Sequence, residues 1–308
     1  MQKRKLGLSG LSVFPFCFGG NVFGWTVGEA ASFALLDAFT GAGFDFIDTA
    51  DVYSAWAPGH VGGESETVIG NWLAARGQRE KVVIATKVAK WAKHPGLKPE
   101  NIIAACEESL GRLQTDYIDL YQSHEEDAST PQDVTLEAYG RLIAAGKVRA
   151  IGASNFTATS LSASLAISRE AGFPRYNTLQ PLYNLVERDF EKSLQPLCVD
   201  EEIGVIPYFA LASGFLTGKY RRPADLEKWV RGSSVQKYLT PQNLALLARM
   251  DKLAAAKNCS LAEIAFAWLR DRPSVVAPIA SATGLDQLQA LIHGASLTLT
   301  PDEIAALG

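Results

Sequence analysis

Short apolar runs alternate with segments of helical period along most of this 308-residue chain, and this alternation restricts the fold more than any other feature. Strands that alternate with helices are typical of βαβ units and of a parallel sheet. The candidate strands occupy eight places: 14–18, 44–47, 82–86, 117–121, 150–152, 178–180, 205–208 and 275–277. Eight is the strand number of the (β/α)8 TIM barrel, an α/β fold of about 250 residues or more.

The helical segments and the connections fit the same architecture. The candidate helices occupy 29–40, 64–75, 99–110, 135–145, 158–169, 189–200, 261–270 and 285–291. Two short runs at 3–6 and 11–13, joined by GLSG, predict an N-terminal β-hairpin. Long connections at 54–63, 88–97 and 212–240 follow strands, so we expect them on the carboxyl-terminal face, where barrel loops govern substrate choice. The sequence predicts one barrel domain over residues 1–308.

Composition and charge argue against several classes of protein. The net charge of −4 and the pI near 5.7 give no sign of a nucleic-acid surface. No apolar run reaches the ~18 residues of a membrane span, and no apolar segment of a signal peptide follows the basic N-terminus. Four widely spaced cysteines are typical of reduced, mostly buried thiols. We therefore expect a cytoplasmic protein without nucleic-acid or membrane partners, as a monomer or weak homo-oligomer.

Four polar residues follow the early strands in a pattern that indicates a catalytic site. Asp48 directly follows the run 44–47, and Tyr53 comes five residues later. Lys87 follows the run 82–86, and His124 follows YIDLYQS. Barrel enzymes place their chemistry at the carboxyl ends of the strands. Each residue taken alone has a structural explanation, but the set on one face favours catalysis.

These side chains suit the reduction of a carbonyl group by hydride, which needs a proton donor and a group that stabilises the alkoxide. Tyr53 would donate the proton, and the ammonium of Lys87 would lower the tyrosine pKa. Asp48 would hold Lys87 as a charged pair. His124 would hydrogen-bond the carbonyl oxygen and orient it.

A series of segments in one order resembles the aldo-keto reductase superfamily. They are FIDTADVY, ATK, SLGRLQTDYIDLYQSH, LIAAGKVRAIGASNF, LQPLYNLVER and PYFALASGFLTGKY. The resemblance runs from residue 6 to about residue 291. It implies a (β/α)8 barrel, nicotinamide-dependent reduction of aldehydes or ketones, and a tetrad of Asp48, Tyr53, Lys87 and His124. Operation in reverse, as an alcohol or sugar dehydrogenase, stays open.

The expected cofactor, NADP(H) or also NAD(H), comes from this resemblance, because the chain lacks the GxGxxG fingerprint. The resemblance implies that Ser154, Asn155 and Gln180 bind the nicotinamide carboxamide and that Tyr208 stacks on the ring. Other implied contacts lie near the first strands and on the loop around the pyrophosphate. They are Gly20, Asn21, Asp48, Phe209, Ala210, Leu211, Ser213 and Lys219.

The segment PIASATGLDQLQAL departs from the family pattern where the adenosine 2′-phosphate would bind. Ser281, Thr283 and Gln287 stand where members selective for NADPH often carry a cation. Hydroxyls and a helix start can hold a phosphate, although without the charge-assisted bonds of arginine. We therefore expect a modest preference for NADPH, with Arg231, or Arg221 and Arg222, supplying charge from the long loop.

Aromatic residues in the loops of the predicted catalytic face favour an apolar or ring-bearing carbonyl substrate. They are Phe23, Trp25, Trp56 and Trp91. For Trp25 and Trp91, covering the barrel end is the alternative role. Trp72 and Trp268 lie in helical patterns and are expected in the core. Histidine, cysteine and carboxylate residues do not have metal-ligand spacing, so no metal site is expected.

A second class of function is still open: a cofactor-binding interaction protein of the same fold, like the β subunits of voltage-gated potassium channels. Those subunits are similar through LQ and GKY, but they lack histidine at the position of His124. The complete set of Asp48, Tyr53, Lys87 and His124 favours the enzyme. A metal-dependent sugar isomerase on this barrel would need carboxylate and histidine ligands that the sequence lacks.

Overall fold

The strands form a two-stranded hairpin and one eight-stranded sheet in a computed structural model that describes residues 1–229 and 231–308. The antiparallel hairpin consists of β1 (Arg4–Lys5) and β2 (Ser12–Val13). The sheet strands are β3 (Cys17–Gly19), β4 (Phe46–Asp48), β5 (Val83–Val88), β6 (Ile118–Ser123), β7 (Val148–Ser154), β8 (Tyr176–Gln180), β9 (Gly204–Val205) and β10 (Ile279–Ala280). All neighbours in this sheet are parallel, in chain order from β3 to β9, with β10 beside β3.

Backbone hydrogen bonds between β9 and the segment just before β10 close the sheet into a barrel. The N–H of Val205 donates to the carbonyl oxygen of Ser274 at 2.8 Å. The N–H of Val276 donates to the carbonyl oxygen of Val205, also at 2.8 Å. The predicted (β/α)8 barrel with an N-terminal hairpin is therefore confirmed.

The last strand lies later in the chain than the predicted run 275–277. Val275 forms only an isolated bridge with Val205, whereas β10 begins at Ile279 and pairs with β3. Between them, the carbonyl oxygen of Pro278 accepts the N–H of Cys17 at 3.0 Å. The segment 275–280 thus pairs first with β9 and then with β3. An apolar run in the sequence does not indicate which strand each of its residues will pair with.

The helices surround the barrel and mostly cross between successive strands. They are α1 (Glu29–Gly41), α2 (Glu64–Arg76), α3 (Pro99–Leu113), α4 (Gln132–Ala144), α5 (Ala158–Ala171), α6 (Phe190–Asp200), α7 (Gly232–Val235), α8 (Pro241–Lys257), α9 (Leu261–Arg270), α10 (Leu285–Ser296) and α11 (Pro301–Leu307). Helices α7, α8 and α9 lie between β9 and β10. The sequence prediction missed α7, α8 and α11, although α8 and α11 each begin with Thr-Pro and a threonine cap, which is a usual start signal.

The barrel interior is filled in layers that place the polar side chains of the site. Leu6, Leu11 and Val13 of the hairpin region pack against an apolar layer of the barrel interior. That layer includes Cys17, Phe46, Ala85, Leu120, Ala150, Ile206, Ala277 and Ile279. Because side chains alternate along a strand, the residues two positions later on β4, β5 and β6 face the same interior. They are Asp48, Lys87 and Gln122, all buried.

A larger apolar core fills the space between the sheet and the helices. Trp72 and Trp268, which the sequence predicts in the core, are fully buried within it. The four cysteines are free, and Cys17, Cys106 and Cys198 are buried. Among the helices of the described residues, none combines the length and the apolar character needed to cross a bilayer.

Candidate active site

The ammonium of Lys87 is the centre of the candidate site. Lys87 is fully buried on β5, and its Nζ donates to Oδ2 of Asp48 at 2.6 Å. The same nitrogen donates to the carbonyl oxygen of Thr49 at 2.7 Å and to Oη of Tyr53 at 3.2 Å. The structure therefore brings Asp48, Tyr53 and Lys87 together as the sequence predicts.

The carboxylate of Asp48 is hydrogen-bonded through both oxygens. While Oδ2 accepts from Lys87, Oδ1 accepts from Nε2 of Gln180 at 2.8 Å and from Nε2 of Gln122 at 3.2 Å. A buried carboxylate is tolerated when it is paired and hydrogen-bonded in this way. The arrangement fixes Asp48 and keeps it next to the lysine.

Burial and neighbouring charges shift the protonation of Tyr53 and Lys87. Burial of its hydroxyl end raises the pKa of Tyr53, and Lys87 opposes this effect without cancelling it. The expected lowering of the tyrosine pKa by Lys87 is thus present, but burial outweighs it. For Lys87, burial lowers the pKa, but Asp48 and Tyr53 together raise it by more, so the ammonium stays charged at neutral pH.

His124 lies just past β6, beside Tyr53. The two ring centroids are 6.0 Å apart with an interplanar angle of 73°. Burial, followed by the charges of Lys87 and Lys90, lowers the pKa of His124 well below its ordinary value. The imidazole is therefore neutral at physiological pH. The backbone carbonyl oxygen of His124 accepts a hydrogen bond from Nδ2 of Asn155 at 2.9 Å, and this bond anchors the end of β6.

The residues expected to bind the nicotinamide carboxamide are linked to the same network. Oγ of Ser154 donates to the carbonyl oxygen of Gln180 at 3.0 Å, and the Gln180 side chain reaches Asp48. The hydroxyl of Tyr208 donates to Oδ1 of Asn155 at 2.7 Å. Ser154, Asn155, Gln180 and Tyr208 are thus joined by hydrogen bonds in a chain that ends on Asp48.

The loop after β9 contains a series of tight backbone turns. Phe209, Ala212, Ser213 and Gly214 have positive φ angles of 57°, 48°, 57° and 97°. The N–H groups of Ala212 and Gly214 donate within these turns to the carbonyl oxygens of Phe209 and Leu211, each at 2.8 Å. Turn conformations of this kind can also direct neighbouring N–H groups toward an anion. The other loop residues expected to contact the cofactor differ in exposure: Ala210 is buried, Leu211 is half-buried and Phe209 is exposed.

Two cations stand close to this loop. Burial and the charge of Arg231 lower the pKa of Lys219, whose Nζ lies 4.4 Å from the ring centroid of Trp229. Neither Lys219 nor Arg231 has a carboxylate within ion-pair distance in the described residues. The hydroxyl of Tyr220, next to both cations, is buried and has no hydrogen-bond partner among the residues that the structure describes. Lys219 and Arg231 are thus the cations beside this loop that could hold the phosphates of the expected dinucleotide.

The segment before α10 borders the end of β3. Oγ of Ser281 donates to Oδ1 of Asn21 at 2.6 Å. Oε1 of Gln287 accepts the N–H of Thr283 at 3.0 Å and its hydroxyl at 3.2 Å. Asn21 itself follows Gly20, whose carbonyl oxygen accepts Oγ of Ser65 at 2.8 Å. The structure thus links Ser281 to Asn21 and Thr283 to Gln287, with neutral side chains at the helix start.

Two tryptophans form an aromatic wall beside Tyr53. The Trp56 ring packs edge-to-face on Tyr53, with centroids 5.4 Å apart, and on Trp25, with centroids 5.6 Å apart. Trp56 keeps 48% of its surface exposed. Both residues therefore lie on the Tyr53 side of the barrel end, and their contact with a substrate stays a prediction.

The other two predicted pocket aromatics have different positions. Phe23 is fully buried and stacks on Phe18 with centroids 5.3 Å apart, so its assignment to the substrate pocket is wrong. The short helical turn Gly20–Val22 directs it into the core. Trp91 is largely buried, and its Nε1 donates to the carbonyl oxygen of Val61 at 2.8 Å, so it braces the loop after Tyr53.

Several polar residues of the site were missed at the sequence level. Gln122 contacts Asp48 and could have been found from its place on β6 two residues before His124, because alternate residues of an extended segment share a face. Asp51 is also buried near the tetrad, as are Ser65 and Glu66 in the first turn of α2, whereas Glu64 of the same turn is half-buried. Their partners are distant in sequence, so spacing gave no signal.

Comparison with known families assigns the chain to a class that this barrel and its lysine-centred site fit. The model of the Aldo/keto reductase family matches residues 15–308, and the chain belongs to that family. The resemblance expected from the sequence motifs is therefore confirmed, and the chain is an oxidoreductase of a family that generally uses NAD(P)H to reduce carbonyls.

The chain is similar over its whole length to curated relatives. Protein tas of Escherichia coli strain K12 is 32% identical over 335 residues, which cover 100% of this chain and 96% of the relative. The uncharacterized oxidoreductase YrpG of Bacillus subtilis is 34% identical, with 100% and 95% covered. Norsolorinic acid reductase B of Aspergillus parasiticus is 30% identical, with 96% and 80% covered.

Proposed function

We propose that this protein is an NAD(P)H-dependent carbonyl reductase in which Tyr53 acts as general acid in reduction and as general base in alcohol oxidation. One observation carries the proposal: Nζ of Lys87 lies 2.6 Å from Asp48 and 3.2 Å from the hydroxyl of Tyr53, at the carboxyl end of the barrel. A buried charged lysine held by a carboxylate is suited to stabilise a phenolate.

The nicotinamide cofactor would supply the hydride when bound. Lys219 and Arg231 would hold its phosphates, because neither has a carboxylate within ion-pair distance in the described residues, and the turns of the positive-φ loop would add backbone N–H donors. Ser154, Asn155 and Gln180 would bind the carboxamide. Whether the 2′-phosphate of NADPH is preferred depends on the neutral side chains before α10.

The side chains divide the remaining work. Tyr53 gives its proton to the developing alkoxide, and Lys87 stabilises the phenolate that is left behind. Asp48 keeps Lys87 charged and in place. His124, as a neutral imidazole, offers a hydrogen bond that orients the carbonyl oxygen without competing as an acid.

The substrate is proposed to be an aldehyde or ketone with an apolar or ring-bearing group. Trp56 and Trp25 present ring surfaces next to Tyr53, and aromatic walls favour such groups. The name of one relative, norsolorinic acid reductase B, agrees with a reductase. The presence of His124 beside Tyr53 favours an enzyme over a binding protein that lacks this histidine.

The test measures NADPH and NADH consumption with a panel of aldehydes, ketones and sugars, on the wild-type protein and on Tyr53→Phe. We expect turnover of ring-bearing carbonyls by the wild type. In Tyr53→Phe, kcat should fall by about 100-fold or more, with cofactor Kd close to wild type, because a general acid contributes ~10²–10⁴-fold. Retention of more than about a tenth of kcat would contradict the role of Tyr53.

A further inference from the structure

The first turn of α2 carries three consecutive polar residues that reach three different parts of the catalytic face. They are Glu64, Ser65 and Glu66. We propose that this triplet is a positioning element that fixes the distance between Lys87, Tyr53 and Asp48. The proposal rests on the proposed function, because it assigns the triplet a role in that reaction.

Glu64 holds the loop that leaves Tyr53. Its Oε2 accepts the N–H of Ser54 at 3.0 Å and that of Gly62 at 3.0 Å, and its Oε1 accepts the N–H of Val61 at 2.8 Å. Burial raises the pKa of Glu64, but these backbone N–H groups lower it by more, so the carboxylate is charged at neutral pH. Hydrogen bonds to a charged acceptor are about twice as strong as neutral ones. One carboxylate therefore ties both ends of the loop 54–62.

Ser65 joins the ends of two barrel strands. Its Oγ donates to the carbonyl oxygen of Gly20 at 2.8 Å and accepts the hydroxyl of Thr49 at 2.8 Å. Thr49 is the chain neighbour of Asp48, and its carbonyl oxygen accepts Nζ of Lys87 at 2.7 Å. Through one hydroxyl, α2 is thus connected to the strand end that carries both Lys87 acceptors.

Glu66 reaches the strand that carries the lysine. It is fully buried, and its Oε1 accepts the hydroxyl of Thr86 at 2.5 Å. Its Oε2 accepts Nε of Arg112 on α3 at 2.7 Å. Thr86 directly precedes Lys87 on β5, so the two side chains point to opposite faces of one strand. The bond to Glu66 therefore fixes the strand from behind the lysine.

The ion pair of the buried Glu66 with the half-buried Arg112 calls for an explanation other than stability. Removing two charges from water costs free energy that the pair recovers only in part, and apolar residues of similar volume often stabilise as well or better. The anchored residues Ser54, Thr49 and Thr86 are direct neighbours of Tyr53, Asp48 and Lys87. Geometry is the benefit that fits this placement, because a displacement of about 1 Å can cost ~100-fold in rate.

The experiment compares Thr86→Val with Thr86→Ser. Valine keeps the shape of threonine and removes the hydroxyl, whereas serine keeps the hydroxyl that Glu66 accepts. We expect kcat of Thr86→Val to fall by about 10-fold or more with cofactor Kd unchanged, and Thr86→Ser to restore most of it. Thr135→Val is the matched control. Thr135 lies on α4, and the substitution removes a buried hydroxyl that donates to the carbonyl oxygen of Leu97 at 3.2 Å. Its kcat should stay at the wild-type value.

A pH profile separates positioning from a loss of packing. The titratable groups that act on Tyr53 are Lys87, Asp48 and Cys17, and His124 packs against its ring. If Thr86→Val lets Lys87 move away, the pH at which alcohol oxidation is half-maximal should rise, because the lysine charge favours the phenolate. A change limited to helix packing would lower thermal stability and leave this pH unchanged.

The outcomes decide between the two proposals. Wild-type turnover with unchanged kcat and pH profile in Thr86→Val would overturn the positioning role alone. An equal loss of kcat in Thr135→Val would overturn it as well. A wild type without carbonyl reduction would refute the proposed function and this inference with it. Ser65→Ala, which removes a neutral hydroxyl, is measured in parallel, and the same criteria apply to it if Thr86→Val does not fold.

Discussion

Nε2 of Gln180 lies 2.8 Å from Oδ1 of Asp48, although 132 residues separate the two along the chain. Gln180 ends β8, and the resemblance implied a contact from it to the cofactor, whereas Asp48 ends β4 and holds Lys87. The bond leaves Asp48 with amide donors on one oxygen and the lysine on the other. Removal of Lys87 would therefore leave a carboxylate that is still hydrogen-bonded but has lost its cation.

We expect Lys87→Met to raise the pH at which alcohol oxidation becomes half-maximal. The folded pKa of Tyr53 is already raised by burial, and Lys87 is the group that opposes this shift most strongly. Without the ammonium, the phenolate form needed as a base appears only at higher pH. The pH dependence of kcat for residual oxidation measures the shift, and an unchanged profile would mean that Lys87 is only structural.

The double variant Asp48→Asn with Lys87→Met is the control for this experiment. Lys87→Met alone should lower the free energy of unfolding, because it leaves the Asp48 charge buried without its partner. Adding Asp48→Asn removes that charge and should recover part of the stability, while the raised pH for oxidation persists. Urea unfolding of the three proteins separates the electrostatic effect on Tyr53 from damage to the fold.

We expect Gly284→Arg to tighten NADPH by about 10-fold and to leave NADH nearly unchanged, since charge-assisted bonds to phosphate add about 1.5 kcal/mol. Gly284 has φ −161°, an extended conformation open to any residue, and a Cβ there would have no atom within 4 Å. The side chain would stand next to Thr283 and Gln287 at the start of α10. Kd values for both cofactors, before and after the substitution, make the measurement.

Gly284→Gln is the matched control, since it adds a long side chain without charge and should leave the ratio of the two Kd values unchanged. A wild type that already prefers NADPH by more than ~1000-fold would contradict the neutral site, because it requires about 4 kcal/mol from another cation. Arg231 would then be replaced first. Arg221 is a weaker candidate because Asp251 accepts two of its N–H groups at 2.8 and 2.9 Å.

We expect Trp56→Ala to raise KM for ring-bearing carbonyls about fivefold to tenfold and to change KM for small aliphatic aldehydes little. Trp56 packs on Tyr53 and Trp25 and is half exposed, and an aromatic contact is worth about 1 kcal/mol beyond the area it buries. Val61→Ala is the control, because it shortens an exposed side chain of the same loop and keeps the backbone bonds of Val61 to Glu64 and Trp91. Equal effects on both substrate classes would contradict a wall that selects rings.

The strand ends could be predicted from the sequence because barrel topology leaves little freedom. Once β4, β5 and β6 are parallel neighbours, period-2 alternation places Asp48 and Lys87 in one interior layer. Tyr53 and His124 follow these strands closely enough to share the same face. The tetrad was therefore the part of the candidate site most accessible to sequence reasoning, and its catalytic role is still a prediction.

What could not be predicted depends on long-range packing or on how deeply a group is buried. Phe23 lies in a loop by sequence, yet a short helical turn sends it into the core. Glu66 accepts a hydrogen bond from Arg112, which is 46 residues away in the sequence, and no local sequence pattern predicts this contact. The raised pKa of Tyr53 follows from burial, a quantity that the residue types alone do not give.

Asp51 provides a test of stability because it is fully buried inside the segment that joins Asp48 to Tyr53. Neither of its carboxyl oxygens has a hydrogen-bond partner of ordinary geometry in the described residues, although the N–H of Val52 is close enough to lower its pKa. Burial and then the charge of Glu66 raise the pKa of Asp51 to about 8, against 3.8 in an unperturbed chain. The folded protein thus keeps a proton on Asp51 at neutral pH.

This raised pKa makes the contribution of Asp51 to stability depend on pH with a definite sign. Between about pH 4 and pH 8 the unfolded chain loses this proton and the folded chain keeps it, so the free energy of unfolding falls as pH rises. We expect Asp51→Asn, which cannot ionise, to gain stability relative to wild type across that window, with no further gain above about pH 8. Urea unfolding of both proteins from pH 5 to 9 measures the difference in the free energy of unfolding at each pH. Thr135→Val is the control, because its difference from the wild type involves no titratable group and should not depend on pH. A constant difference over the whole range would mean that Asp51 is already charged in the folded protein, and that Arg112 or Lys87 compensates its charge.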